Sequence, residues 1–241
     1  MKVIDAVWEK RNLNVDTVEV EIELDDSLEE ITEVLETIER KYHYIVVKVP
    51  ARRADIMHLL YGERYEYVED MVFFIHNLKE VQRTRVMQRM YNAVSVKECS
   101  DQDIEEIYQE IRKGIFSTDR ISLDPHFSGE IAKERYINWT KDEVMRGTKM
   151  YNYVYKDENI GFFALREVEK GVYISFLGGI FEKYRASGLG AVVKVPEIVA
   201  KLGGKKLYTE VSLNNPGQIK NLILNGYTLE KTRHVYVKHK E

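Results

Sequence analysis

The chain has 241 residues, 44% apolar and 32% charged, with a net charge of −4, a composition that suits a soluble globular protein of one large or two modest units. Lys and Arg are scattered among the acids, which argues against a nucleic-acid partner that would need a basic face. No apolar leader and no run of 18 apolar residues is present, the single Cys99 excludes an internal disulfide, and the six histidines (43, 58, 76, 126, 234, 239) do not sit at metal-ligand spacing from a carboxylate or thiol, so a cytoplasmic protein with no membrane contact and no metal is expected.

Strand-like and helix-like periodicities alternate along the chain, the signature of a mixed α/β protein. Val18, Val20, Ile22 and Leu24 alternate with acids, as in a half-buried strand. Ser27 and Glu30 form a capping box that opens a helix with Leu28, Ile31, Leu35 and Ile38 on its apolar stripe. Tyr44 to Val49 is a β-rich run ended by Pro50, followed by a short helix over 55–60 and a strand pair from Tyr65 to Ile75. The Arg-rich stretch 81–92 reads as a linker that could be helical. A fresh unit starts at Ala93 with a strand to Glu98 and a helix from Ser100 carrying Ile104, Ile107, Tyr108, Ile111 and Ile115. A charged loop over 116–127 leads to a helix from Ser128 to about Val144. Three strands at about 148–156, 160–167 and 172–181 are joined by tight turns at 156–159 and 169–171. A helix, a strand from Leu207 to Leu213, another helix and two closing strands finish the chain. The expected division is 1–80, a linker over 81–92, and 93–241.

Residues 47–75 echo residues 210–237: a strand, a Pro-containing corner, a short helix, a glycine, a tyrosine and a two-strand ending. Ile56, Leu59 and Leu60 match Ile219, Leu222 and Ile223, and Tyr65 matches Tyr227. A duplicated strand–helix–hairpin unit explains this. The first copy has no counterpart of the most informative run, Ile174 to Val193, so the chemistry is assigned to the second half.

That run reads as a buried strand, a turn and the glycine-bearing start of a helix near Ser187, with Arg185-Ala-Ser-Gly188-Leu-Gly190 fitting R/Q-x-x-G-x-G/A. A helix N-terminus leaves backbone N–H groups unpaired, and glycines let a diphosphate approach them closely. Pro196 should kink or shorten that helix.

The order of parts, ending in Val211-Ser-Leu-Asn-Asn215, an amphipathic helix and Gly226-Tyr227, resembles motifs A and B of the GNAT superfamily of acetyl-CoA-dependent N-acyltransferases. The resemblance implies a mixed twisted sheet whose two central strands splay apart, preceded here by a truncated GNAT-like unit. It implies acetyl-CoA as cosubstrate, with Gly178 and Ile180 pairing with pantetheine. Arg185, Ala186, Ser187, Gly188, Leu189, Gly190 and Ala191 would hold the pyrophosphate, and Asn215 would touch CoA. Many members carry a tyrosine seven residues after that Asn as general acid; this chain has Leu222.

The segment Phe116 to Phe127 and the helix through Ala132 to Trp139 resemble the sugar-nucleotide N-acyltransferases of the TDP-fucosamine acetyltransferase kind. An amino-sugar nucleotide is therefore the implied acceptor, with an amino acid, an aminoglycoside or a protein amine as alternatives and a CoA-binding module without catalysis as the competing class. Glu210 is the first candidate for general base, His126 a second. Tyr227 or Tyr208 could replace the missing acid. Asp119, Arg120, Asp124 and Arg135 are the acceptor-loop candidates, the two arginines suiting a diphosphate unless they form ion pairs with neighbouring acids. Tyr151, Tyr153 and Tyr155 share a strand face and should pack across it. An exposed sheet edge in the N-terminal unit points to a homodimer.

Overall fold

Period-two runs of Val, Ile, Phe and Tyr form strands and 3.6-period runs form helices in the computed structural model, which describes residues 1–240. In chain order the elements are β1 (Lys2–Asp5), α1 (Val7–Leu13), β2 (Thr17–Glu21), α2 (Leu28–Lys41), β3 (Tyr44–Pro50), α3 (Ala54–Gly62) and β4 (Glu66–His76). There follow α4 (Arg85–Ala93), β5 (Val94–Glu98), α5 (Asp101–Arg112), α6 (Arg120–Leu123), α7 (Gly129–Met145), β6 (Lys149–Tyr155), β7 (Glu158–Glu169) and β8 (Val172–Ile180). The chain closes with α8 (Val195–Lys201), β9 (Lys206–Ser212), α9 (Pro216–Leu224) and β10 (Thr228–His239). Side-chain caps start the long helices: Ser27 Oγ accepts the Glu30 N–H, Ser100 and Asp103 cap reciprocally, and Ser128 Oγ accepts the Ile131 N–H.

All ten strands join one mixed sheet in the order β1-β2-β3-β10-β4-β9-β8-β7-β6-β5. The two repeats, β3–α3–β4 and β9–α9–β10, exchange their last strands. β10 pairs with β3 from Arg233↔Pro50 to His239↔Tyr44, while β4 pairs with β9 from Met71↔Ser212 to His76↔Leu207. The two exchanged strands also pair with each other. The segments 1–80 and 93–241 are thus stitched into one hydrogen-bonded sheet.

Two sequence expectations need correction. The strand pair expected from Tyr65 to Ile75 and the two closing strands are each one continuous strand. Asp70 is held across the ladder by His234 at 2.6 Å, and an irregularity between Leu229 and Lys231 absorbs Glu230. The helix expected near Ser187 does not form there. Two 3₁₀ segments, Glu182–Ser187 and Leu189–Ala191, flank Gly188, and the α-helix begins only at Val195 with Pro196 in its first turn. A proline fits the first turn, where its missing N–H costs nothing, and clashes with the preceding turn deeper inside.

Apolar faces pack on both sides of the sheet. Ile31, Leu35 and Ile38 of α2 cover Val18, Val20, Val47 and Val49. Ile107, Ile111 and Ile137 cover Phe162, Ala164 and Leu177. Each such large side chain contributes roughly 1.5–3 kcal/mol on burial. Tyr151 stacks on Phe163 and Tyr153 meets it tilted, both at 5.1 Å, the cross-strand packing expected of them.

Candidate active site

The parallel strands β8 and β9 pair only from Val172↔Lys206 to Ser175↔Thr209. Beyond that point they part. On β8 the cause is an extra residue at Phe176, since Ala164 faces Leu177 while Leu165 faces Ser175; such a bulge bends the strand where it leaves its neighbour. β8 then stays with β7 as far as Gly161↔Ile180, and β9 stays with β4 as far as Met71↔Ser212.

Antiparallel ladders alternate between bonded and non-bonded pairs. Phe181 N–H donates to the Ile160 carbonyl, which turns the backbone groups of Gly178 and Ile180 away from β7 and into the gap. Leu213 N–H donates to the Asp70 carbonyl, which turns those of Glu210 and Ser212 into the gap from the other side. Gly178 is required here: a Cβ would lie 2.7 Å from the Phe162 carbonyl oxygen. Around the gap lies a cavity of about 850 Å³.

At one end stands the glycine turn. Gly188 has φ +76°, open to glycine and costly for other residues. Ser187 Oγ accepts the Leu189 N–H, and Asn221 of α9 and Asn225 just after it donate to the Gly190 and Ala191 carbonyls. Arg185 donates to the Gly114 and Ile115 carbonyls, pairs with Glu182 and lines the cavity. Asn215 lines it too, its side-chain oxygen capping α9 through the Gln218 N–H.

At the other end, one face of the sheet under α1, α6 and α7 carries charge. Glu9 of α1 is fully buried and binds both Arg135, bidentately, and Arg120. Burial alone would raise its pKa, but Arg135 and Arg120 outweigh this and hold it low. Glu19 pairs with Arg120 at 2.7 Å and Lys48 at 2.8 Å, and is brought down to about 2 against its own burial. Two acids on the cavity wall, Glu69 of β4 and Glu210 of β9, form no ion pair among the described residues. Burial raises both. For Glu69 this reaches about 7, opposed by the Ser212 hydroxyl and Arg120. For Glu210, Lys48 and Arg233 pull the other way. An aromatic row faces them: Phe116 stacks on Tyr136 at 4.4 Å, Tyr136 on Trp139, and Trp139 meets Phe176.

No protein-family model and no curated protein matches the sequence. Solved structures do match. A GCN5-related N-acetyltransferase from Sphaerobacter thermophilus superposes with a TM-score of 0.67 over 99% of this chain and 75% of that one, at 13% identity. A tandem GNAT protein from the clavulanic acid biosynthesis pathway gives 0.57 over 92% and 75%, at 10% identity. A GCN5-related glucosamine N-acetyltransferase region in a fungal multi-domain β-N-acetylglucosaminidase gives 0.60 over 81% of this chain and 25% of that one, at 13% identity. The chain has the GNAT fold.

On this GNAT fold the sequence-derived candidates scatter in an informative way. Gly178, Ile180, Arg185, Gly190, Glu210 and Asn215 line one cavity, and Tyr227 joins them, buried, its hydroxyl held protonated by that burial. Leu222, at the position of the usual tyrosine, is core. His126 and Asp124 do not line the cavity. Asp124 is instead a buried acceptor for His126 Nδ1 at 3.0 Å and His239 Nε2 at 2.8 Å, with the two imidazoles stacked at 3.8 Å. The sequence shows no histidine at metal-ligand spacing from a carboxylate, yet the fold gathers Asp124, His126 and His239 into a trio that could hold a metal ion, their stacked rings aimed at separate carboxylate oxygens. Asp119 caps α6 through Ile121 N–H and Ser122 Oγ. Arg120 and Arg135 are spent on Glu9 and Glu19 rather than on Asp119 and Glu134, so neither guanidinium is free for a diphosphate. Glu9 and Glu69 escaped the sequence reading. Nothing in MKVIDAVWEK or the acidic run around Glu69 marks either; only the exchange of strands and the docking of α1 bring them to the site.

Proposed function

We propose that the protein transfers an acetyl group from acetyl-CoA to a primary amine of a small molecule. One observation carries this: two strands part beside a glycine turn, their free backbone edges face a single cavity, and that cavity holds two unpaired carboxylates. The residues fit CoA. Gly178 and Ile180 offer an edge on which pantetheine lies as an added strand, and Arg185 with residues 186–191 offers guanidinium and backbone donors to the pyrophosphate. Bound acetyl-CoA supplies an acyl group on a thiolate leaving group.

The chain's own residues do the rest. The inward N–H groups of Gly178 and Ile180 are donors for developing negative charge on a carbonyl oxygen. Glu210, first past the point of parting, draws an ammonium group to the gap. Tyr227 is a protonated donor within the same cavity. Among amines, an amino sugar is the first choice, on the resemblance of 116–139 and on the fungal glucosamine N-acetyltransferase region. Its nucleotide-linked form would have to displace Glu9 from Arg120 or Arg135.

Release of free thiol from acetyl-CoA, followed with amino sugars, their nucleoside-diphosphate forms, amino acids and aminoglycosides, tests this. Turnover with at least one amine is expected. Acetyl-CoA binding without turnover on any amine would instead make the protein a CoA-binding module.

A further inference from the structure

The carboxylate placed best for proton transfer comes from the N-terminal repeat. Counting from the last paired residues, Ser175 and Thr209, Ser212 lies three residues into the gap on β9, and Gly178 faces it from β8 one level short, because the extra residue at Phe176 takes up one step. Ser212 is paired with Met71 of β4, and Glu69 is two residues from Met71 on the same face, hence a diagonal neighbour of Ser212 across the ladder. Such neighbours are roughly 7–8 Å apart at Cα, within reach of a glutamate side chain. Glu69 is 4% exposed, lines the cavity, and its Oε2 has no hydrogen-bond partner among the described residues.

A buried carboxylate oxygen without a partner costs stability, and a site that keeps one has a use for it. The groups around Glu69 are the Ser212 hydroxyl on β9, Arg120 and Asp119 at α6, Tyr136 on α7 and Tyr67 on its own strand. None of the cations among them is free to neutralise it, because Arg120 is held by Glu9 and Glu19.

We propose that Glu69, steadied by the Ser212 hydroxyl, is the general base that takes the proton from the attacking amine. The inference rests on the acetyl-transfer reading above. As the amine nitrogen bonds to the thioester carbonyl carbon, Glu69 accepts the nitrogen's proton. The C–S bond breaks with its electron pair on sulfur, and one proton is returned to that sulfur, so that amine plus acetyl-CoA gives amide plus free CoA. A base in this position needs a proton affinity near neutrality, and burial raises Glu69 to about 7. The consequence is that the repeat with no glycine turn of its own supplies a catalytic residue to the repeat that has one.

Steady-state kinetics of wild type, Glu69→Gln and Ser212→Ala between pH 5.5 and 9 test this, with acetyl-CoA affinity by calorimetry as a control on folding. The wild-type kcat should fall on the acid side with a midpoint near 7. Glu69→Gln should lower kcat by ~10²- to 10³-fold, abolish that acid limb and leave acetyl-CoA affinity unchanged. Ser212→Ala should shift the limb to higher pH. An active wild type with Glu69→Gln equally active and carrying the same acid limb overturns the role of Glu69 alone. A wild type that acetylates no amine overturns the acetyl-transfer reading and Glu69 with it.

Discussion

Glu9 grips the guanidinium of Arg135 with both carboxylate oxygens, accepting from Nε at 2.8 Å and from Nη2 at 2.6 Å. The same carboxylate accepts from Arg120, so one fully buried acid neutralises two side chains that reach it from α6 and α7. Removing it leaves two cations in a low-dielectric interior. Glu9→Ala should cost about 3–5 kcal/mol in urea unfolding, the range for breaking a buried pair. A loss below about 1 kcal/mol would show that water already screens this cluster.

Glu69 has the opposite electrostatics, and its stability effect has the opposite sign. Its folded-state pKa of about 7 lies above the ordinary 4.5, so the folded protein holds a proton that the unfolded chain releases. Its contribution is fully present below about 4.5 and is lost as pH rises through about 7. At roughly 1.4 kcal/mol per pH unit, Glu69→Gln should therefore stabilise the protein by up to about 3 kcal/mol at pH 8 relative to its effect at pH 4. Thermal melts of both proteins across this range check it; parallel curves would refute it.

Gly188 holds a left-handed conformation between two 3₁₀ segments, where a side chain costs about 1–2 kcal/mol. Gly188→Val should distort the turn and weaken acetyl-CoA binding by about tenfold or more, read by calorimetry. Unchanged affinity would mean that the turn does not hold the pyrophosphate.

His126 stacks on His239 outside the cavity. His126→Ala should leave acetyl transfer within about twofold of wild type, because nothing at the parted strands depends on it. A large loss confined to kcat would return it to the chemistry.

The sequence marked well those features that depend on local pattern. Ser100 and Ser128 announced their helices because a cap needs only residues within one turn, and the Lys156–Asn159 turn was visible in its polar run; Lys156 and Asp157 both take positive φ. Of the Arg185–Gly190 run, Arg185 and Gly190 line the cavity, while Ala186, Ser187, Gly188 and Leu189 do not. Features that depend on distant partners were not legible. Arg120 and Arg135 looked available because Glu9, more than a hundred residues earlier, is an ordinary helical acid until α1 docks on α7. Glu69 carried no signal in the sequence because its burial is created by a strand that follows it by more than 150 residues, with Val235 as its partner across the ladder. The repeat itself was readable from Tyr65 and Tyr227, whereas the trade of strands between its copies was not, since either pairing satisfies the same alternation.

That trade governs how the molecule can be assembled. Strand β10, Thr228–His239, lies between two strands made before residue 77, so their shared interior ladder stays open until about 150 further residues have been synthesised. Such contacts between segments far apart in the chain are entropically expensive to form and slow to find. On the ribosome, residues 1–80 must therefore wait with three unpaired strand flanks, one on β3 and both on β4, sticky surfaces on which chaperones would act. Closure of the sheet is timed by the arrival of the twelve residues of β10.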